Sequence, residues 1–314
     1  QRFEGQIRLT AKISDIENAT VIQSVVVDGS VSELFSVQDE LVERLRKAFD
    51  PDLDRLPEGN ASLSTGENVS MVTAADRFLV PEPPATMVRD ADGHATVRAV
   101  RLVDALNLDG LLDEAIYQTV PAISGFIQQA PNEGESASEK TEAWIFFSNT
   151  SVYVSGRVWD SAPDSAWVMN EMRRDTSQLR DNDSFWVTFD TFNDQRNAVA
   201  FYTNPIGAIG DFAITNEGNP NSDWNPVWDV RTARFDGGWT VEMEIPFKSL
   251  RYRPGSEQVW GVQLRRNIRR KNERVFLNAI PISAGRSGIF RISESATLVG
   301  IEVPSGGKNL EIKP

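Results

Sequence analysis

Aspartates are concentrated in one stretch of the chain, in and around predicted loops, and could hold a cation. The cluster comprises Asp175, Asp181, Asp183, Asp190 and Asp194. Carboxylates at this density could bind Ca²⁺, which takes about six to eight oxygen ligands, with Asp181, Asp183 and Asp190 as candidate ligands. The spacing fits no EF-hand loop, and nothing marks one carboxyl as the raised-pKa acid of a glycosidase. Turn capping and local ion pairs with neighbouring arginines are the structural alternative.

Two tryptophans, Trp224 and Trp228, lie in the polar loop 219–228. Carbohydrate sites stack the apolar face of a sugar on an aromatic plane while polar groups hold the hydroxyls. An aromatic side chain on a loop is a better ligand candidate than one in a strand, and packing against the end of a sheet is the alternative. Trp239 and Trp260, by contrast, alternate in phase with apolar residues, so we predict that both are buried.

A basic run, 265–271, stands out in an acidic chain. On a strand, Arg265 and Arg269 share one face, whereas Arg266 falls on the apolar face. Such a row could meet an anionic glycan or a lipid headgroup. The alternative is that these arginines pair with Glu242, Glu244 and aspartates on neighbouring strands.

Composition excludes several classes of site. The chain has no cysteine, so it has neither disulfides nor thiolate zinc sites. Its single histidine, His94, follows a Pro-rich stretch in a polar run and is predicted to be a solvated loop residue, which leaves no placed histidine for a Ser-His-Asp relay. A formal charge of −13 argues against nucleic-acid binding. No apolar run approaches the roughly 20 residues that span a bilayer, so we expect the visible chain to be soluble.

The elements that must position these residues are mainly strands. In 239–245, Trp239, Val241, Met243 and Ile245 alternate with polar residues, which predicts a strand with one buried face. It should end at Pro246, which has no amide hydrogen, and the turn at 236–238 makes it half of a hairpin. Seven further strands are predicted, at 96–103, 142–147, 152–159, 184–192, 197–203, 227–235 and 259–270, with a helical stretch near 111–117. Short strands joined by turns predict a mainly β fold, an antiparallel two-sheet β-sandwich of jelly-roll kind, over 96–314.

The chain before residue 96 differs in character. Residues 1–50 predict two strands and a helix that ends before Pro51, and 51–95 predict a linker rich in Pro, Gly and Ser. The segment "GQIRLTAKISD…SVSELFSVQDELVERLRKAF" resembles the second half of the TolB-type envelope domain. The resemblance implies a partial ββα element at 1–50.

Motifs in order from about residue 96 to 314 resemble a known family. They include "LDGLLDEAIYQTVP", "LRDNDSFWVTFDTFNDQRNAVAFYTNPIGAIGDF", "DWNPVWDVRTARFDGGWTVEMEIPFKSLRY" and "WGVQLRRNIRRKNE". The region is similar to the family-nine carbohydrate-binding-like module found before bacterial outer-membrane barrels of unknown function. The resemblance implies a β-sandwich preceding a barrel, located in the cell envelope, on the periplasmic or extracellular side of the outer membrane.

The resemblance also implies positions for sugar contacts. The aromatic platform of the family falls near Arg180, a carboxylate position is occupied by Trp186, and a sugar-binding arginine aligns with Tyr202. The second platform tryptophan has no counterpart, because no tryptophan follows Trp260. A sugar site here would therefore be rebuilt, with Trp224 or Trp228 as platform and Arg180, Tyr202, Asn204 and Arg265 as further candidate ligand-binding residues.

Two functions follow as hypotheses. The first is a non-catalytic, carbohydrate-binding-like module that binds an oligosaccharide or glycan. The second is a structural module that docks to its own barrel or to a partner protein and binds no sugar.

Overall fold

In the computed structural model, residues 6–14, 21–30, 84–253, 255 and 257–304 are described. The predicted helix before Pro51 and most of the predicted linker lie outside them. The chain divides into two units, Gln1–Met71 and Val72–Pro314.

The strands are β1 (Gln6–Ser14), β2 (Val21–Ser30), β3 (Met87–Arg89), β4 (Ala95–Arg98), β5 (Val100–Arg101), β6 (Ile127–Ala130), β7 (Thr141–Phe147), β8 (Ser151–Trp159), β9 (Ser184–Asp190), β10 (Ala198–Thr203), β11 (Gly210–Thr215), β12 (Asn219–Asn221), β13 (Asp229–Phe235), β14 (Gly238–Pro246), β15 (Glu257–Ile268), β16 (Glu273–Phe276) and β17 (Ala296–Glu302).

Helical structure within the described residues is short. A single α-helical turn, α1, spans Ile116–Thr119 and overlaps the end of the predicted helical stretch at 111–117. Short 3₁₀ segments cover Asp164–Ala166, Ser177–Asp181, Phe247–Ser249, Arg269–Lys271, Ile282–Phe290 and Ile292–Glu294. No helix of the described part of the chain is long and apolar enough to cross a membrane.

The first unit contributes one described element, an antiparallel hairpin of β1 and β2 in which Gln6 faces Ser30. This agrees with the two strands predicted there from alternating and β-branched residues. The helix predicted to follow them begins beyond the described residues.

The second unit is a sandwich of two sheets, as predicted. Ten strands form the larger sheet, ordered β12-β11-β10-β9-β15-β17-β4-β3, with β16 and β6 continuing from β15. Five strands form the smaller sheet, ordered β13-β14-β8-β7-β5. Most neighbours are antiparallel, but β17 pairs with β4 and β5 with β7 in parallel, so the sheets are mixed rather than purely antiparallel. The larger sheet takes in Met87–Arg89, upstream of the predicted boundary at 96.

The main core lies between the sheets and is made by alternate residues of facing strands. Phe185, Val187 and Phe189 of β9 belong to it, with Trp239 and Trp260, which are 2% and 0% exposed. Both tryptophans are therefore buried as predicted, because their strands alternate in phase. The strand β14 also ends at Pro246 as predicted.

The outer faces of both sheets carry apolar clusters of their own. On the smaller sheet, Trp144 and Phe146 pack with Tyr117 of α1. On the larger sheet, a cluster that includes Trp186, Tyr202 and Phe212 packs with residues of the 3₁₀ segments Ser177–Asp181 and Ile282–Phe290. Strand β9 is consequently buried on both faces, with Phe185, Val187 and Phe189 in the main core and Trp186 as the one apolar residue of its outer face.

His94 lies in a loop as predicted, but the prediction that it is solvated is wrong. The residue is half-buried, and its ring nitrogens lie 3.0 Å from Asn278 Nδ2 and 3.3 Å from Thr297 Oγ1. Its backbone N–H donates to Asp90 Oδ1 at 2.8 Å. The turn folds back on the sheet because β4, which follows it directly, pairs with β17, and a local polar run cannot show that pairing.

Candidate ligand-binding cleft

Three aromatic rings are stacked across neighbouring strands on the outer face of the larger sheet. Trp186 of β9 lies directly opposite Tyr202 of β10, with ring centroids 3.8 Å apart and planes 9° from parallel. Phe212 of β11 stacks on Tyr202 at 5.2 Å. Cross-strand neighbours on one face are close enough for such contacts. The stack is a rigid apolar base at the middle of the sheet.

Gly210 leaves the space that Tyr202 occupies. It lies directly opposite Tyr202 in the β10–β11 pairing, and a β-carbon at position 210 would overlap the phenol ring. The glycine is therefore required by close approach of a side chain.

Arg265 of β15 continues this row on the other side of Trp186. The two residues are direct cross-strand partners, and the guanidinium carbon lies 4.9 Å from the Trp186 ring centroid. Arg265 is 4% exposed; its Nε donates to Asn267 Oδ1 at 2.9 Å and its Nη1 to the Arg286 carbonyl at 3.2 Å. Among the described residues, no carboxylate forms an ion pair with it.

Arg180 reaches the same place from the 3₁₀ segment Ser177–Asp181. Its guanidinium carbon lies 4.5 Å from the Phe212 ring centroid, and its buried Nε has no hydrogen-bond partner in the described part of the chain. The Tyr202 hydroxyl is likewise buried without a partner there. Burial raises the pKa of Tyr202 to about 12, and the neighbouring Arg180 guanidinium opposes that rise, so the phenol stays protonated at neutral pH.

These side chains line a cleft of about 380 Å³ on the outer face of the larger sheet. We call it the arginine cleft and define it by Arg180, Trp186, Arg265, Arg286 and Phe290. Its size falls in the range of small-ligand sites. At the mouth, Arg286 donates to Asp181 Oδ1 at 2.7 Å, and both side chains are largely exposed.

The electrostatics of the arginine cleft are opposite to those of the whole chain. Its lining contains three arginines and a single acid, Asp181, in a protein of net charge −13. Burial lowers the pKa of Arg265 to about 9, and the charges of Arg274, Arg286, Arg269 and Arg180 lower it further in that order. The site is therefore a concentrated positive charge in a low-dielectric setting, suited to a ligand that accepts hydrogen bonds or carries negative charge.

No protein-family model matches the sequence, and no curated protein matches it. Several solved structures resemble the chain, among them the following three. Two are of a family 9 carbohydrate-binding module from Caldicellulosiruptor kristjanssonii, in complex with cellotriose (16% identity, TM-score 0.45) and with glucose (14%, 0.46), each match covering 69% of this chain and 100% of that one. The third is a protein from Bacteroides uniformis named a "putative carbohydrate-binding protein" (9% identity, TM-score 0.50), with the match covering 66% of this chain and 98% of that one. At TM-score 0.50 and 9% identity, that likeness is one of fold alone.

The structure brings together some predicted site residues. Arg180 and Arg265 both line the arginine cleft, and Tyr202 stacks on Trp186 directly beneath it. The three positions assigned to sugar contacts by the family resemblance, Arg180, Trp186 and Tyr202, are thus neighbours in space. Their chemistry differs from that implied by the resemblance. Arg180 stands where the family has an aromatic platform, and the aromatic rings of Trp186 and Tyr202 lie at the base of the cleft.

Asn204 does not belong to the cleft. It is fully buried, and its Nδ2 donates to the Glu171 carbonyl at 2.7 Å and to Asn182 Oδ1 at 3.0 Å. Its Oδ1 accepts from the backbone of Ile206 and Ala208. The side chain therefore organises the turn after β10 and has no free group to offer a ligand.

Trp224 and Trp228 lie on the other side of the sheet. Both pack edge-on against Phe201, whose side chain points into the main core, at 5.7 Å and 5.2 Å. Trp228 is 4% exposed and its Nε1 donates to Asp211 Oδ2 at 3.0 Å. Both tryptophans therefore pack against the sandwich, which is the structural alternative given above. Neither lines the arginine cleft.

The three candidate Ca²⁺ ligands serve separate purposes. Asp183 accepts from the backbone of Val168 and Arg269, Asp190 accepts from the backbone of Gln195, and Asp181 pairs with Arg286. Burial raises the pKa of Asp183 and of Asp190. Within the ranges that the structure describes, no group of three or more acidic or histidine side chains is arranged to hold a metal ion.

The basic run pairs with aspartates, as one alternative predicts, but the predicted pairing with Glu242 and Glu244 is wrong. Glu242 accepts from Tyr117 and Glu244 from Ser151 and Tyr153, on the outer face of the smaller sheet. Arg266 and Arg270 instead contact Asp160, and Arg269 lies 3.7 Å from Asp181. The two glutamates and the arginines are on different sheets, which strand parity alone could not show.

Sequence reasoning missed Arg286 and Phe290 as residues of a site, and it reached Trp186 only as a position that the family resemblance gives to a carboxylate. The available signal was its parity, since Trp186 is in phase with Thr188 and Asp190, not with the core residues Phe185 and Val187. For Arg286 and Phe290, which lie on the segment that folds over the sheet, no sequence signal was found.

Proposed function

We propose that this protein is a non-catalytic carbohydrate-binding module and that an oligosaccharide occupies the arginine cleft. The observation that carries the proposal is the placement of unused guanidinium donors, held by an aromatic stack, in a ligand-sized cleft. Sugar hydroxyls are good acceptors for such donors. The shared fold with a structure described as carbohydrate-binding supports the proposal at the level of architecture.

The single acidic side chain that lines the cleft fits a binding role and not a hydrolytic one. Glycoside hydrolysis uses two carboxyl groups flanking the bond to be cleaved, whereas Asp181 is the single carboxylate in the lining and is paired with Arg286. The cleft can therefore hold a sugar but offers no acid–base pair around it.

The test is a glycan array followed by isothermal titration calorimetry of the chain against the best ligand. Ser287 is exposed at the cleft mouth, so Ser287→Trp should fill the mouth and lower affinity by about tenfold or more. Ser222→Trp, an exposed change in the loop that carries Trp224, is the matched control and should bind normally. Loss of binding in the control alone would move the site to that loop, and no binding to any glycan would overturn the function.

The cell-envelope setting and the barrel partner belong to this proposal through the family resemblance alone. A docking module is the rival function, and the same variants separate the two. If the chain binds the isolated barrel but no glycan, and Ser287→Trp leaves that binding unchanged, docking is the function and the cleft is not its site.

A further inference from the structure

Arg180, Arg265 and Arg286 bring their guanidinium groups to one cleft from three separate segments. Arg180 comes from Ser177–Asp181, Arg265 from β15 and Arg286 from Ile282–Phe290. Like charges brought together in a partly desolvated site repel one another, and their charge is costly unless it is compensated. The cleft therefore concentrates positive charge at a cost to the free protein.

The carboxylates of the protein neutralise only part of the positive charge of the cleft arginines. Elsewhere on the basic run, Arg270 contacts both Glu139 and Asp160, and Arg266 has Asp160 at 3.7 Å. In the cleft, one carboxylate, Asp181, contacts Arg286. Neither Arg180 nor Arg265 forms an ion pair with any residue that the structure describes.

The unused donors are specific atoms. The Nε of Arg180 is buried without a hydrogen-bond partner among the described residues, and the guanidinium lies against the Phe212 ring. Arg265 uses Nε and Nη1 within the protein, which leaves Nη2. Arg286 uses Nη1 for Asp181. The buried Tyr202 hydroxyl, also without a partner in the described chain, adds a neutral donor beneath them.

A planar oxyanion matches this set of donors. Guanidinium groups bind carboxylates through paired N–H···O bonds, and such charge-assisted bonds are about twice as strong as neutral ones. Arg265 is fixed between the Trp186 and Phe276 rings, 4.9 Å and 5.7 Å from their centroids. A pre-positioned guanidinium loses little conformational entropy when a ligand binds.

We propose that the arginine cleft selects an acidic oligosaccharide, with the carboxylate of a uronic acid residue bound by Arg180, Arg265 and Arg286. This inference rests on the proposed function and specifies its ligand class. A neutral sugar would leave the cluster uncompensated, whereas a uronate supplies the missing negative charge. Affinity should accordingly fall as salt screens the interaction.

The experiment is calorimetry of the chain with a panel of oligouronides, galacturonate, mannuronate and glucuronate, each beside its carboxyl-reduced neutral counterpart. The reduced sugar has the same ring and linkage without the charge. We expect at least one acidic member to bind about tenfold tighter than its counterpart. Raising NaCl from about 0.05 M to about 0.5 M should narrow that difference. A sulfated oligosaccharide bound in preference to every uronide would overturn the carboxylate assignment.

Arg286→Gln tests the cluster, because this arginine is exposed and its replacement should leave the fold intact. Arg231→Gln on β13, an equally exposed arginine paired with Asp229, is the control for loss of one charge. We expect about a tenfold loss of uronide affinity in the first variant and little change in the second. Equal binding of acidic and reduced sugars would overturn this inference and leave the proposed function standing. Absence of binding to either class, on the panel and on the glycan array, would overturn both.

Discussion

Arg265 and Arg266 are sequence neighbours on β15, both almost fully buried, and they differ in whether the protein compensates their charge. Arg265, on the outer face, lies against the ring of Trp186 and pairs with no described acid. Arg266, on the inner side, lies 3.7 Å from Asp160 and donates to Thr141 Oγ1 at 3.0 Å and to backbone carbonyls. The Arg266 guanidinium therefore stabilises the fold, whereas the Arg265 guanidinium is left with its charge unpaired and can contact a ligand.

This difference predicts opposite responses to the same substitution. Arg266→Met should lower the free energy of unfolding by about 3–5 kcal/mol, because it leaves Thr141 Oγ1 and buried backbone carbonyls without their donor and removes one of the two arginines beside Asp160. Arg265→Met should change it by only about 1 kcal/mol, since the guanidinium repels its neighbours, while sugar affinity is lost. Urea denaturation followed by circular dichroism measures both. Equal destabilisation by the two changes would contradict the distinction.

Gly210 should be irreplaceable while Tyr202 is present. Gly210→Ala places a methyl group where the phenol ring lies, and we expect a loss of about 2 kcal/mol as the ring is pushed off Trp186. Tyr202→Leu removes the obstacle, so the double variant should be more stable than the sum of the single changes predicts, with a coupling of about 1 kcal/mol. Strict additivity in denaturation would show that the overlap is relieved elsewhere.

Glu242 should make stability depend on pH. Burial, with a smaller contribution from Glu114, raises the pKa of Glu242 from 4.5 to about 7. A raised folded-state pKa stabilises the protein below the unfolded value, and that stability is lost as the pH rises through about 7. Glu242→Gln keeps the shape and removes the titration. Between about pH 5 and pH 8 the wild type should lose about 2 kcal/mol relative to this variant.

The matched control is Glu244→Gln on the same strand, which is half-exposed and hydrogen-bonded to Ser151 and Tyr153. Thermal and urea unfolding across the pH series measure the effect. Parallel stability curves for wild type and Glu242→Gln would show that Glu242 does not titrate in this window.

Trp228 should matter for stability and not for binding. Its indole N–H and Arg174 both donate to Asp211 Oδ2, at 3.0 Å and 2.6 Å. Burial raises the pKa of Asp211 to about 6. Trp228→Phe removes one donor to the carboxylate, so we expect about 1–2 kcal/mol of destabilisation, larger at about pH 8 than at about pH 5.

The control for that experiment is Trp224→Phe, because the Trp224 indole N–H donates to no residue in the described ranges. Calorimetry should show unchanged sugar affinity for both variants. A selective loss of affinity in either would restore the loop 219–228 as the platform.

Calcium should not affect the fold. The Asp183 carboxylate already accepts from backbone N–H groups at 2.6 Å and 3.0 Å, and Asp190 accepts at 2.7 Å and 3.2 Å. Differential scanning calorimetry with a chelator and then with excess Ca²⁺ should give one thermal midpoint. A midpoint that rises with Ca²⁺ by mass action would show a site that these hydrogen bonds do not reveal.

The sequence by itself determined many of the strands and, for β14 and β15, which residues face the core; it did not predict β6, β11, β12, β16 or β17. Period-two alternation located Trp239 and Trp260 inside the sandwich, Pro246 ended its strand because it has no N–H, and Gly237 marked the hairpin turn. These are local rules, because the pattern of one strand reports its own two faces. They were sufficient for the fold class.

Only the tertiary structure decided where the ligand-binding cleft lies. Strand parity separates Phe185 from Trp186 on β9, but it cannot say that the outer face carrying Trp186 becomes the floor of a cleft. Trp224 and Trp228 were candidate ligand contacts because a polar loop sequence does not show that both pack against Phe201. Arg180, Arg265 and Arg286 are distant in sequence and meet because two 3₁₀ segments fold over the sheet. Such a meeting depends on long-range packing, which local periodicity does not encode.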